Sequence, residues 1–176
     1  DEGSGFHLGK LAIRSILKAH DDKKPLKLFQ EKVLSHFNVL SPDQLITKVY
    51  GSTNSVAAIS SVGRIVLDAF EEDLIAKSIV STVQEALLEL IESAYSRIDR
   101  TKPVVLHGGL FSNKPFYERF TVRFSSRFPD LIALKPPISG TVGAYLLALH
   151  ESEIEVSDPV KQTIQQTWRL LEGEIT

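Results

Sequence analysis

Pro103-Val104-Val105-Leu106-His107-Gly108-Gly109 decides how the chain is read. Val104 to His107 is a short run with two β-branched residues, and two glycines stop it abruptly, which predicts a strand ending in a tight turn. Downstream, Ser112 or Asn113 caps a helix that carries Phe116, Phe120, Phe124 and Phe128. Leu131-Ile132-Ala133-Leu134 reads as a second strand, halted by Pro136-Pro137, and Gly140-Thr141-Val142-Gly143-Ala144 enters a helix to about His150. Strand, helix, strand, helix in this order is a βαβα unit, so the two strands are expected to be parallel neighbours. Two strands do not make a stable sheet alone, and the remaining ones are expected upstream of Asp1. Ser157-Asp158-Pro159 starts a last helix through Trp168 to Leu171.

Upstream of Lys102 the pattern is helical. Residues 4–20 place Leu8, Leu11, Ala12, Ile16 and Ala19 on one face at the 3.6-residue period. Asp21-Asp22-Lys23-Lys24-Pro25 breaks the run, and a helix from about Leu26 to Phe37 buries Leu26, Phe29, Val33 and Phe37. Ser41-Pro42-Asp43 is a cap followed by proline at the first helical position, and that helix ends at Gly51. Another helix spans about Ser55 to Phe70, and a long one runs from Glu71 to about Ile98, its positive end matched by Glu71, Glu72 and Asp73. Residues 1–176 therefore read as a single domain: 1–100 mostly helical, 101–150 the βαβα unit and 151–176 a terminal helix.

Composition narrows the function classes. The chain has 176 residues, 43% hydrophobic and 24% charged, enough for one domain with a substantial core. A formal charge of −2 argues against a nucleic-acid or anionic-membrane surface. With no cysteine, disulfides, thiolate catalysis, iron–sulfur clusters and zinc-thiolate sites are all excluded, which fits a reducing, cytoplasmic setting. The longest apolar patch, Ala144 to Leu149, is far too short to span a membrane. The sequence holds no methionine, not even at its start, and it reads as the C-terminal part of something larger, cut at a binding loop.

Three glycine-bearing turns carry the chemistry. Asp1-Glu2-Gly3-Ser4-Gly5 leads directly into the first helix. Its carboxylates suit sugar hydroxyls and its glycines permit close backbone approach; the same residues also describe a plain helix start with acidic charge in a favourable place. His107-Gly108-Gly109-Leu110 lies at the carboxyl end of a parallel strand, where open α/β sheets bind ligands, although a simple strand-to-helix turn accounts for the pair as well. Gly140 to Ala144 permits close helix packing and is mainly structural. The five histidines are scattered without metal spacing, with His107 the one to watch beside the glycines. Arg119, Arg123 and Arg127 form an i, i+4 stripe expected to be a solvated helix face. Trp168 and Leu171 read as packing residues, and no nucleophile elbow surrounds any serine.

Together, Asp1 to Gly5 with Leu8-Gly9, the helical middle with Asp73, Val104-Val105-Leu106-His107-Gly108-Gly109-Leu110, and Gly140 to Ala148 resemble the N-acetylglucosamine kinases. These belong to the BadF/BadG/BcrA/BcrD-type ATPases of the actin/hexokinase-like superfamily. The resemblance covers nearly the whole chain. It implies an α/β fold: the helix-rich distal part of an RNase H-like ATPase domain, its short parallel sheet completed by upstream strands. The implied function is ATP-dependent phosphoryl transfer to an amino sugar such as N-acetylglucosamine, with ATP and Mg2+ as cofactors. Asp1, Glu2 and Gly3 match sugar-site positions, whereas Ala69, Gly108, Gly109, Leu110 and Asn113 match nucleotide-site positions and residues 66–70 line that pocket. Glu72 stands where the family has glycine, and Phe70 adds bulk near the expected nucleotide wall.

The phosphate-binding loop and catalytic aspartate of the family belong to an upstream lobe, so no catalytic residue and no metal ligand is expected in this chain, which alone would be inactive. The implied partners are an amino sugar, that upstream lobe and a second copy in a homodimer, with no nucleic acid and no membrane. An alternative is a non-catalytic sugar- or nucleotide-sensing or regulatory member of the same ATPase fold. An activator of a radical dehydratase ranks below both, because that class holds its cluster through cysteine.

Overall fold

The structure is a computed structural model that describes residues 2–98, 102–136 and 138–171, the side chains of Arg169 and Leu171 excepted. Its elements are α1 (Gly5–Asp21), α2 (Leu28–His36), α3 (Pro42–Tyr50), α4 (Ser55–Ala69), α5 (Leu74–Tyr95), β1 (Val104–Val105), α6 (Gly109–Ser112), α7 (Lys114–Arg127), β2 (Ala133–Leu134), α8 (Gly140–Glu151) and α9 (Asp158–Leu171). They cluster into two compact units, residues 1–102 with 109–131, and residues 103–108 with 132–176.

The first unit is built around α1. Ser4 caps it, its Oγ accepting from His7 N–H at 3.2 Å, and Leu8, Ala12 and Ile16 are fully buried along one face as the period predicts. The most extensive helix pairing in this unit is α1 on α4. Glycine is the reason. A Cβ on Gly9 would stand 1.9 Å from the carbonyl oxygen of Ile59, and one on Gly63 would stand 2.9 Å from that of Gly5. The helices therefore meet backbone to backbone at a small-residue crossing. Helices α2 and α3 also pack on α4. The buried Gln30 that faces this core is satisfied, donating to Ser15 Oγ at 3.1 Å and accepting from Lys27 N–H at 2.8 Å.

Helix α5 starts three residues later than expected. Asp73 is its cap rather than a first-turn residue: Oδ1 accepts from Ile75 and Ala76 N–H at 2.8 and 3.0 Å. Glu71 and Glu72 thus precede the helix, in a turn where Glu72 and Asp73 N–H both donate to Ala69 O. Glu72, expected from the resemblance to stand where glycine is usual, has no left-handed backbone, so its side chain is unstrained. Phe70 is wholly buried beneath the Arg119 guanidinium, 5.3 Å from its ring centroid, so its bulk goes into the core.

Helix α7 follows Asn113, whose Oδ1 accepts from Phe116 N–H at 3.0 Å; of the two expected caps, this is the one used. An extra turn, α6, begins at Gly109 itself. Phe116, Phe120 and Phe124 are buried in a ring cluster with Phe111. The arginine stripe differs from a solvated face. Arg119 pairs with Glu71 at 3.2 Å, Arg123 with Glu85 and the Ser81 carbonyl, and Arg127 with Glu85 and Glu92. Hydrogen bonding to Glu92, then to Glu85, raises the Arg127 guanidinium above its ordinary value. The stripe fastens α7 along α5, and buried Gln84 joins it by donating to Phe116 O at 3.1 Å. Glu85→Ala, which leaves two guanidinium groups short of a partner, is expected to lower stability by about 1 kcal/mol, with the loss shrinking as salt screens the network. Urea midpoints at low and high salt check it; a loss independent of salt would assign Glu85 a packing role.

The second unit holds β1 and β2 as a parallel pair, as the βαβα order predicts. Val104 pairs with Ala133 and Val105 with Leu134, and the N–H groups of Val104 and Leu106 donate to Ile132 O and Leu134 O at 2.8 Å each. Both strands are only two residues long, shorter than the apolar runs that announce them. Val105, Ile132 and Leu134 remain exposed. Ser139 caps α8, accepting from Val142 N–H at 3.3 Å, and α9 packs on α8. The half-buried Trp168 of α9 places its indole N–H away from solvent with no acceptor among the described residues.

Candidate functional site

Two of the three glycine turns have a backbone that only glycine takes comfortably. Gly3 lies at φ +72°, and a Cβ there would stand 2.4 Å from Leu87 Cδ2. Gly108 lies at φ +106°, with nothing within 4 Å of the place a Cβ would occupy. The first is a locked turn against α5. The second opens onto free space.

Asp1 lies outside the described residues. Glu2 is exposed and lines a cavity of about 530 Å³ with His7 from α1 and with Ser81, Thr82, Glu85 and Glu89 from α5. Carboxylates and hydroxyls rimming one hollow are acceptors and donors of the kind that a polyhydroxylated ligand needs. Gly3 N–H donates to His7 Nδ1 at 3.2 Å, while His7 N–H donates to Ser4 Oγ at 3.2 Å. The second of these is the side-chain cap of α1. Sequence reading missed the α5 residues, which sit some eighty positions away and whose serine, threonine and glutamate pattern is that of any exposed helix face.

The second turn follows β1. Gly108 ends the strand side and Gly109 starts α6, both exposed, and Leu110 is half-buried. Asn113 is half-buried, its carbonyl oxygen committed to capping α7. Ala69 is half-exposed at the end of α4. His107 carries a feature the sequence does not announce: its ring lies on Gly140, so close that a Cβ there would stand 2.6 Å from Nε2. The tight packing at the Gly140 turn is therefore against a side chain, with Gly143 in ordinary contact with Ile138. Among the described residues no three carboxylate or imidazole groups converge in a way that could hold a metal, and no helix is long and apolar enough to cross a membrane.

No protein-family model matches the chain. Two curated proteins do. The N-acetylmuramic acid/N-acetylglucosamine kinase of Clostridium acetobutylicum is 28% identical over 161 residues, 87% of this chain and 52% of that protein. The N-acetyl-D-glucosamine kinase of Dictyostelium discoideum is 26% identical over 163 residues, 87% of this chain and 50% of that protein. Among solved structures, one from Chromobacterium violaceum, described as a candidate N-acetylglucosamine kinase, superposes with a TM-score of 0.59 at 22% identity, over 76% of this chain and 43% of the other. That likeness bears on the fold alone. The chain spans about half the length of the curated relatives it matches. Over most of its length the chain is similar in sequence to N-acetylglucosamine kinases.

Proposed function

We propose that this chain supplies part of the sugar and nucleotide sites of an ATP-dependent amino-sugar kinase. The observation that carries the reading is the open, left-handed Gly108 turn at the carboxyl end of β1. A Cβ at Gly108 would meet nothing within 4 Å beyond its chain neighbours, which gives a flat base or a phosphate room to approach the turn. Gly109, Leu110, Asn113 and Ala69 belong to the same nucleotide assignment. Asp1, Glu2 and Gly3 take the amino sugar; in support, Glu2 lines a hollow of carboxylates and hydroxyls. Curated relatives that are kinases for N-acetylglucosamine and N-acetylmuramic acid favour this substrate class.

In the reaction a sugar hydroxyl oxygen attacks the γ-phosphorus of ATP and the bond to the ADP oxygen breaks, while a base takes the hydroxyl proton. The described residues do not build a Mg2+ site. The ion would arrive on the nucleotide phosphates, as Mg2+ commonly does, and no role of this chain's residues is derived through it. Their contribution is to bind and orient. The base and the γ-phosphate contacts are assigned to another part of the protein, and a homodimer acting in the cytoplasm completes the proposal.

The test uses the full-length protein that carries this chain. ADP release from Mg-ATP is measured with N-acetylglucosamine, N-acetylmuramic acid, glucosamine and glucose. Amino-sugar-dependent turnover is expected, reduced at least about 100-fold by Asp1→Asn, and the chain alone is expected to release no ADP. Nucleotide binding without turnover on any of these sugars would instead establish a sensing or regulatory member of the fold.

A further inference from the structure

We propose that the His107 imidazole forms one wall of the nucleoside pocket, presenting its Nδ1–H to an acceptor atom of the bound nucleoside, and that Gly140 exists as the seat of that ring. The inference rests on the nucleotide reading above and goes beyond it by naming a residue and an atom.

His107 is the last residue before Gly108, and it is exposed. Its ring is nevertheless placed. A Cβ on Gly140 would lie 2.6 Å from Nε2, 3.3 Å from Cδ2 and 3.4 Å from Cε1, so the Nε2 edge rests on the Gly140 backbone. Any other residue at 140 would push the ring away. Gly140 opens α8, and Ser139 already satisfies two donors of that first turn through its Oγ and its carbonyl. Nδ1 is the ring nitrogen turned away from the seat, and it can carry the donor proton there. The neighbouring Gly108 leaves empty the volume a side chain would fill. A donor held at the rim of an open turn after a parallel strand is what orientation of a nucleoside requires, because base and ribose both carry acceptors.

The experiment measures Mg-ATP and ADP dissociation constants, with thermal midpoints alongside, for the full-length protein and its variants. His107→Ala is expected to weaken both nucleotides about tenfold, near the upper range for one neutral hydrogen bond. Gly140→Ala is expected to do the same by unseating the ring. The double variant is expected to be no weaker than either single one, since both changes remove one interaction. His107→Asn, whose amide nitrogen falls where Nδ1 was, is expected to bind within about threefold of the parent, whereas His107→Gln, whose amide falls nearer Nε2, is not. Amino-sugar affinity is expected to stay unchanged throughout. Parent-like nucleotide affinity in His107→Ala, or additive losses in the double variant, would overturn the proposal. His107→Asn as weak as His107→Ala would overturn the donor assignment. A parent protein that binds no nucleotide would overturn the underlying nucleotide reading instead, and the parent measurement alone separates that case.

Discussion

Gly9→Ala is expected to destabilise the protein by about 2–3 kcal/mol or more, although alanine is the better helix former by up to about 1 kcal/mol. The added methyl would sit 1.9 Å from the Ile59 carbonyl oxygen and 2.8 Å from its carbon. Both atoms are backbone, so no rotamer change relieves the clash. Helix α1 must slide or lift from α4, and the contacts of Leu8, Ala12 and Ile16 go with it. Against a typical total stability of about 5–15 kcal/mol this is a large fraction. The comparison that isolates the cause is Gly143→Ala, also inside a helix, where the nearest atom is Ile138 Cδ1 at 3.9 Å. There the propensity gain stands unopposed. Urea unfolding should give a lower midpoint for the first variant and an equal or higher one for the second. A Gly9 variant as stable as its parent would mean that the α1–α4 crossing is looser than it stands in the structure.

Phe120→Ala is expected to cost about 3–5 kcal/mol. The ring is fully buried at the centre of the α6–α7 cluster, its centroid 5.1 Å from Phe111, 6.4 Å from Phe116 and 6.3 Å from Phe124. Truncation therefore opens a cavity walled by three other rings and also forfeits their edge and offset contacts. Phe128 occupies the same heptad-like row but is only half-buried at the end of α7, touching Phe124 and the Arg127 guanidinium. Phe128→Ala should cost less than half as much. Equal losses in thermal or urea unfolding would show that the row shares its burial more evenly than the structure has it.

The contrast between these residues explains what the sequence discloses. Spacing alone located the aromatic row, because a helix repeats its buried face every three to four positions. Helix starts at Ser41-Pro42 and the parallel order of β1 and β2 were legible for equally local reasons. The partners of the arginine stripe were not: Glu71, Glu85 and Glu92 lie 35 to 48 positions away from the arginines they meet. Glycine was the most ambiguous letter. Gly3 and Gly108 need a left-handed backbone, while Gly9, Gly63 and Gly140 need room for a neighbour, and the one-letter code writes both alike. For the same reason the glycine turns were legible as candidate sites, but the ring resting on Gly140 and the α5 side of the Glu2 hollow were not.

The two-residue parallel ladder has a consequence for the timing of folding. Most pairings in the first unit join helices close in sequence, which form quickly, whereas β1 and β2 meet only after the segment holding α6 and α7 has been drawn into a closed loop. Until then Val105, Ile132 and Leu134 are apolar residues on unpaired strands, and even afterwards they face solvent. The nascent chain thus passes through an interval in which these two apolar segments lack each other as partners and another chain's strand can take the place of either. Late closure of this small ladder, rather than weakness of the helical core, is where misassembly competes with folding.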